Sequence, residues 1–176
     1  MLNIDPKTND FKDLDLSELY HKDYYTWAMT NAKLLKEGRL DEIDHINLAE
    51  EVKDLGNSEY HRLESFLANL LSHLYKWDNK PELRSKSWKN TIVNSTRGIA
   101  EVLSENPGLK YEYTFNNIFK AAWIEAQYII SNDMDINIDL IPDICHYSFK
   151  KAVKKAYEIA PDRIKKEDIA FLESLS

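Results

Sequence analysis

The stretch SEYHRLESFLANLLSHLYKW, residues 58–77, decides the fold. Leu63, Phe66, Leu67, Leu70, Leu71, Leu74 and Trp77 recur at spacings of three and four, the period of an α-helix with one buried face. Complete burial of each such side chain is worth about 1.5–3 kcal/mol, so this helix is expected to form the centre of the core. Outward from it the same period returns in both directions, and glycine and proline fall between the periodic runs.

Toward the N-terminus, Asn57 or Ser58 is expected to cap the central helix and Gly56 to end a shorter one. That shorter helix is expected over residues 45–55, with Asp44 as its N-cap and a face of Leu48, Val52 and Leu55 flanked by Ile46 and Ala49. An earlier helix, capped by Ser17, runs to Leu35 or Lys36 and stops at Gly38. Its inner side is Leu16, Tyr20, Tyr24, Trp27, Ala28, Asn31, Leu34 and Leu35. Residues 1–16 read as a flexible polar tail. Toward the C-terminus, Pro81 closes the central helix, and a fourth begins near 84–87 with Trp88, Ile92, Ile99 and Leu103 on one face. Gly98 lies inside it, at a cost of about 1 kcal/mol against alanine, and marks an expected close helix crossing. After Asn106-Pro107-Gly108, a fifth helix is expected over residues 109–130. An irregular acidic stretch, NDMDINIDLIPDIC, leads into a helix over residues 147–159, and residues 161–176 form an extension with one short helix. The expectation is an all-α, single-domain helical bundle over residues 17–160, with four or five main antiparallel helices and short C-terminal ones.

Composition agrees. Of 176 residues only 4 are glycine and 5 proline, about 5% where roughly 12% is usual, which argues against turn-rich β folds and Gly-cradled nucleotide folds. The 23 lysines and arginines face 30 acids, a net charge of −7, so the chain as a whole does not attract nucleic acid or anionic lipid. The imbalance lies in residues 1–70, with 15 acids against 8 bases; the remainder is neutral. One cysteine, Cys145, excludes an intrachain disulfide. The opening residues lack the basic and apolar regions of a signal peptide, and no apolar run is long enough to cross a bilayer. A cytoplasmic protein is the expectation.

Three ordered segments carry a resemblance. The run from Leu19 to Gly56, the central stretch, and PELRSKSWKNTI at residues 81–92 together resemble the bacterial family known as domain of unknown function 29. The resemblance rests on Asp23, Trp27, Leu34, Leu35, Glu50, Glu51, Gly56, Glu64, His73, Lys76, Trp77, Pro81, Arg84, Ser85, Ser87 and Trp88, and covers residue 19 to about 150. The later IPDIC segment resembles the family's closing Pro-x-x-Cys. Gln127 stands where the family pattern has a basic residue, and His146 where proline often follows the cysteine. The resemblance implies a small helical protein without assigned activity and brings no catalytic residues with it.

Polar residues on apolar stripes are the candidate chemistry. Asp23 neighbours Tyr20 and Trp27; Glu51 shares a face with Leu48 and Leu55; His73 lies between Leu70 and Trp77. A buried ionised group must pair, hydrogen-bond or bind something. One reading makes these residues structural, with Lys76 or Arg84 paired to Glu51 or Asp23. The other assembles Asp23, Glu51, His73 and Arg84 into an inter-helix site for a small anion or a hydrolase-like reaction. Glu50, Lys76, Ser87 and Trp88 complete the candidate set. The di-iron pattern, four carboxylates with two Glu-x-x-His motifs, is read as absent, and no metal or other cofactor is expected. The basic, tryptophan-bearing run from Lys76 to Arg97 could grip an anion or a nucleic acid. Trp77 and Trp88 fall on core stripes, however, and no nucleic-acid partner is expected. Cys145 is read as inert, although the adjacent His146 could lower a thiol pKa. Lys150, Lys151, Lys154 and Lys155 read as the solvated face of an amphipathic helix. The preferred reading is a noncatalytic interaction or regulatory module, with a protein partner or a second copy of itself and no membrane.

Overall fold

A computed structural model describes residues 15–175 of the chain. They are all-α: seven α-helices joined by short 3-10 turns, with no strand among the described residues. The helices are α1 (Leu16–Lys22), α2 (Tyr24–Glu37), α3 (His45–Asn79), α4 (Lys86–Glu105), α5 (Glu112–Met134), α6 (Phe149–Ile159) and α7 (Lys166–Glu173). Of the tail expected over residues 1–16, residues 1–14 lie outside the described residues. The chain divides into two compact units, one up to Gly56 and one from Asn57 onward.

In the first unit the expected single helix is two. Asp23 is extended, with φ −151° and ψ 80°, and its N–H donates to the Leu19 carbonyl to close α1. Its carboxylate accepts the Thr26 N–H at 3.1 Å and the Thr26 hydroxyl at 2.6 Å, which caps α2. The apolar stripe runs on through this break, which is why periodicity alone missed it. Asp15, rather than Ser17, caps α1, accepting from the backbone of Ser17 and Glu18. Gly38 does end α2, in the left-handed conformation at φ 72°, where a side chain would be strained. Among the described residues the core of this unit is Leu16, Leu19, Trp27 and Leu34, with Tyr20, Ala28, Ile43 and Leu48 against it.

Asp44 caps α3 as expected, accepting the Asn47 N–H at 3.2 Å. The break expected at Gly56 is absent. His45 to Asn79 is one helix of 35 residues, and Asn57 and Ser58 are interior to it. Gly56 keeps helical geometry with open space where a Cβ would stand, so only its modest propensity cost opposes continuation, and no proline or left-handed residue enforces a stop.

The second unit is built on residues 58–77. Leu63, Leu67, Leu70, Leu71 and Leu74 are fully buried. They pack in one cluster with Ile92, Ile99 and Leu103 of α4, Ile118, Ala122 and Ala126 of α5, Ala152 and Val153 of α6, and Leu172 of α7. Trp77 and Phe66 are only partly buried at its margin. Ser85 caps α4, accepting from Trp88 N–H at 3.3 Å. Gly98 does mark a close crossing: a Cβ there would stand 2.5 Å from the Phe66 ring. The fifth helix starts and ends later than expected, and its last turn holds Asp133, formerly assigned to the irregular stretch. That stretch is anchored by the Pro142 carbonyl, which accepts from Trp123 Nε1 and Gln127 Nε2, each at 3.0 Å. Ser148 caps α6, whose Lys150, Lys151 and Lys154 are exposed. Lys155 departs from the expected solvated face and pairs with Asp78 at 2.6 Å. The short helix expected after Pro161 is α7.

Candidate functional site

The candidate residues separate into three local settings, and each makes its polar contacts within its own compact unit. Asp23 is exposed and spends its carboxylate on the α2 cap. Glu51 is held from α1 and α2: Tyr20 donates to one carboxylate oxygen at 2.8 Å and Tyr24 to the other at 2.7 Å. These hydroxyl bonds, Tyr24 first and then Tyr20, hold the Glu51 carboxyl below the usual carboxylate range. The Tyr20 ring meets the Trp27 ring edge-on at 4.8 Å. Glu50, one residue before, is exposed and pairs with Lys53 at 2.9 Å.

Around Glu51 lies a groove of about 230 Å³ walled by Tyr24, Trp27, Ala28, Ala32 and Leu35 on α2 and by Leu48, Val52 and Leu55 on α3. Leu48, Val52 and Leu55 form the apolar stripe that periodicity assigned to the core. Only Leu48 joins it. Val52 is 65% exposed and Leu55 71% exposed. The stripe is a helix face as expected, but the core formed by the described residues of this unit covers only Leu48.

The second setting is a buried network on α3, α4 and α5. Lys76 is 0% exposed. Its ammonium donates to Asp133 at 2.5 Å, sits 3.3 Å from His73 Nε2, and lies 5.3 Å from the centre of the Trp88 ring. His73 Nδ1 faces the Asn69 carbonyl at 2.9 Å, so it carries the proton, and Nε2 is left to accept from Lys76. Ser72 donates to the same carbonyl at 3.1 Å. His73, Lys76 and Trp88 are therefore brought together, but the expected pairing of Lys76 with Glu51 or Asp23 is replaced by Asp133. Asp133 carried no sequence signal, being 57 residues from its partner. No buried side-chain polar atom among the described residues lacks a hydrogen-bond partner. Beside this network Tyr147 donates to Asp78, and burial together with that carboxylate pushes the phenol pKa up.

Burial and the Lys76 ammonium hold the His73 pKa below its ordinary 6.5. The folded protein therefore keeps His73 neutral where the unfolded chain takes a proton. The stability this group contributes is intact above about pH 6.5 and is lost as pH falls below that value. Urea midpoints at pH 7.5 and 5.5 are expected to drop for the native protein and to drop less for His73→Gln. The other four histidines are exposed, so an equal drop in both proteins would remove His73 from the account.

Arg84 forms the third setting. Its Nε donates to the Trp77 carbonyl at 2.8 Å and its guanidinium lies 5.1 Å from the centre of the Trp77 ring. This corrects the expected pairing of Arg84 with Glu51 or Asp23: the side chain turns back over the end of α3 and caps it. Ser87 is exposed and its carbonyl accepts from Thr91. Two Glu-x-x-His spacings do occur, contrary to the reading that none exists, at Glu18–His21 and Glu42–His45. Glu18 pairs with Lys22 and Glu42 with Arg39. Among the described residues no group of three or more His, Cys, Asp or Glu side chains is placed to hold a metal. The Cys145 thiol is pushed up by burial, the opposite of what a neighbouring histidine could do.

Residues 19–158 match the family described as Domain of unknown function DUF29. The chain belongs to this DUF29 family. The match begins where the resemblance did and reaches slightly beyond it, through α6, so it takes in the groove, the Lys76 network and Arg84 together. No curated protein and no solved structure matches the chain. Among the described residues no helix is long and apolar enough to cross a membrane.

Proposed function

We propose that this DUF29 protein is a noncatalytic helical interaction module whose docking face is the groove between α2 and the first turns of α3. One observation carries the reading: Val52 and Leu55, on a stripe with the spacing of a buried face, remain mostly exposed. Ile46, Met29 and Tyr25 of the same unit are exposed as well. Concentrated apolar exposure of this kind marks a surface that another molecule covers. The proposal places the protein in a bacterial cytoplasm, where a lone thiol such as Cys145 stays reduced.

A small-anion or hydrolase-like site at His73 and Arg84 has less support. Lys76 and His73 spend their polar atoms on Asp133, Asn69 and each other, which leaves little to offer a ligand. A photo-cross-linking residue placed at Val52 is expected to form protein adducts in cells, and the same residue at Asn94 on the exposed side of α4 is expected to form none. Equal adducts from both positions, or none from Val52, would overturn the docking reading.

A further inference from the structure

We infer that the occupant of the α2–α3 groove is a basic amphipathic helix of another protein, seating its apolar side on Leu48, Val52 and Leu55 and a lysine or arginine on Glu51. The inference rests on the docking reading and gives its partner a chemistry.

The dimensions come first. Leu48, Val52 and Leu55 stand at i, i+4 and i+7, two turns of helix and about 10 Å along its axis. Tyr24, Ala28 and Leu35 run along the facing helix at comparable helical spacing. Between them Ala28 and Ala32 keep the wall low, so an incoming backbone can approach closely. A groove flanked by two such stripes accepts the i, i+3, i+4, i+7 anchors of a third helix.

Charge selects the partner. Glu51 is part of the groove wall, and Tyr20 and Tyr24 each bond one of its oxygens. They fix the carboxylate in place and keep it ionised, while each oxygen retains a lone pair for a further donor. A cation arriving there finds a preorganised anion beside the half-exposed ring of Tyr24, so charge and ring quadrupole act together. Glu50 and Asp54 add carboxylates on the same helix. Residues 15–56 hold ten acids against five lysines and arginines. Two copies of this surface would therefore meet with like charge, which disfavours self-association through it, whereas a lysine-bearing helix is attracted over a Debye length or so.

The test uses the full chain with three synthetic helical peptides of one apolar pattern, whose polar positions are all lysine, all glutamine or all glutamate. Fluorescence anisotropy is expected to show binding of the lysine peptide, weakening as salt is raised, and no binding of the glutamate peptide. Glu51→Gln is expected to weaken it about fivefold and Val52→Asp at least about tenfold, with circular dichroism confirming that both variants stay folded. Val52→Asp separates the explanations, since it adds negative charge while spoiling the apolar stripe. Unchanged or tighter binding by that variant would mean diffuse attraction to an acidic surface and would overturn the inference. Equal binding of the glutamine or glutamate peptide, lost on Val52→Asp, would overturn the basic chemistry and leave the docking reading standing. A dimer in sedimentation that Val52→Asp dissolves would make the occupant a second copy. No binding by any peptide would overturn the inference, and with no adducts at Val52 the docking reading would fall too.

Discussion

Trp27→Ala is expected to destabilise the first unit by about 3–5 kcal/mol, the usual loss for a buried tryptophan. Trp27 is 1% exposed and is the largest member of a core that otherwise holds Leu16, Leu19 and Leu34. Its indole N–H also donates to Asp44 at 3.0 Å. Asp44 in turn caps α3 and gives its own N–H to the Asn31 side chain, itself fully buried and bonded to the Trp27 carbonyl. Removing the ring therefore empties the core and loosens the turn that joins α2 to α3. The few apolar side chains buried among the described residues of this unit cannot absorb that loss by repacking. Amide hydrogen exchange should show protection collapsing over residues 16–37 while the amides of residues 63–75 keep theirs. A uniform, small rise in exchange along the whole chain would contradict this assignment of the core.

Asp133→Ala is expected to cost about 3 kcal/mol, because it strips the carboxylate from an ammonium that is 0% exposed. The Asp133 side chain is half exposed, which keeps the figure toward the lower end for a broken buried pair. His73 Nε2 and the Trp88 ring remain near Lys76, but neither supplies a countercharge. Removing both charges should be far milder. The double variant Lys76→Met with Asp133→Ala places an apolar side chain of similar length among Trp88 and the α3 core, and is expected to lie within about 1 kcal/mol of the native protein. Urea denaturation of the two single variants and the double variant measures this as a cycle. If Asp133→Ala alone shifts stability by less than about 1 kcal/mol, solvent reaches the ammonium and the ion pair does not hold α3 and α5 together.

Both predictions turn on contacts that were only half legible. Leu63 to Leu74, the stop at Gly38 and Asp44 as a cap were all readable, because each depends on residues within about one helical turn or on the 3.6-residue period. Gly98 was legible only as a glycine inside a helix, and Phe66, which meets it, lies on another helix. The tyrosines that hold Glu51 sat on a recognised stripe, yet nothing marked them as its partners. The break at Asp23 was hidden because a capping carboxylate and an inner-face carboxylate look alike in a continuous apolar pattern. The opposite error occurred at Gly56, where a residue that often ends helices was passed over for lack of any contact enforcing a turn. Arg84 was read as reaching across the fold when its own Trp77 carbonyl and ring lay closer.

Local chemistry, then, determined by sequence alone that the chain is all-α and that the core is built on Leu63–Leu74, while the family match places it among DUF29 sequences. Hydrogen bonds from i to i−4, caps and side-chain periodicity need no knowledge of distant residues. Tertiary structure alone decided that Lys76 meets Asp133 across 57 residues and that, among the described residues, Leu48 joins the core while Val52 and Leu55 stay uncovered. A stripe shows which face of a helix seeks a partner, whereas burial depends on whether other elements have enough apolar surface to cover it. In the second unit α4, α5 and α6 supply that surface. In the first, the four buried apolar side chains among the described residues do not, and the uncovered remainder is the face proposed to receive a partner.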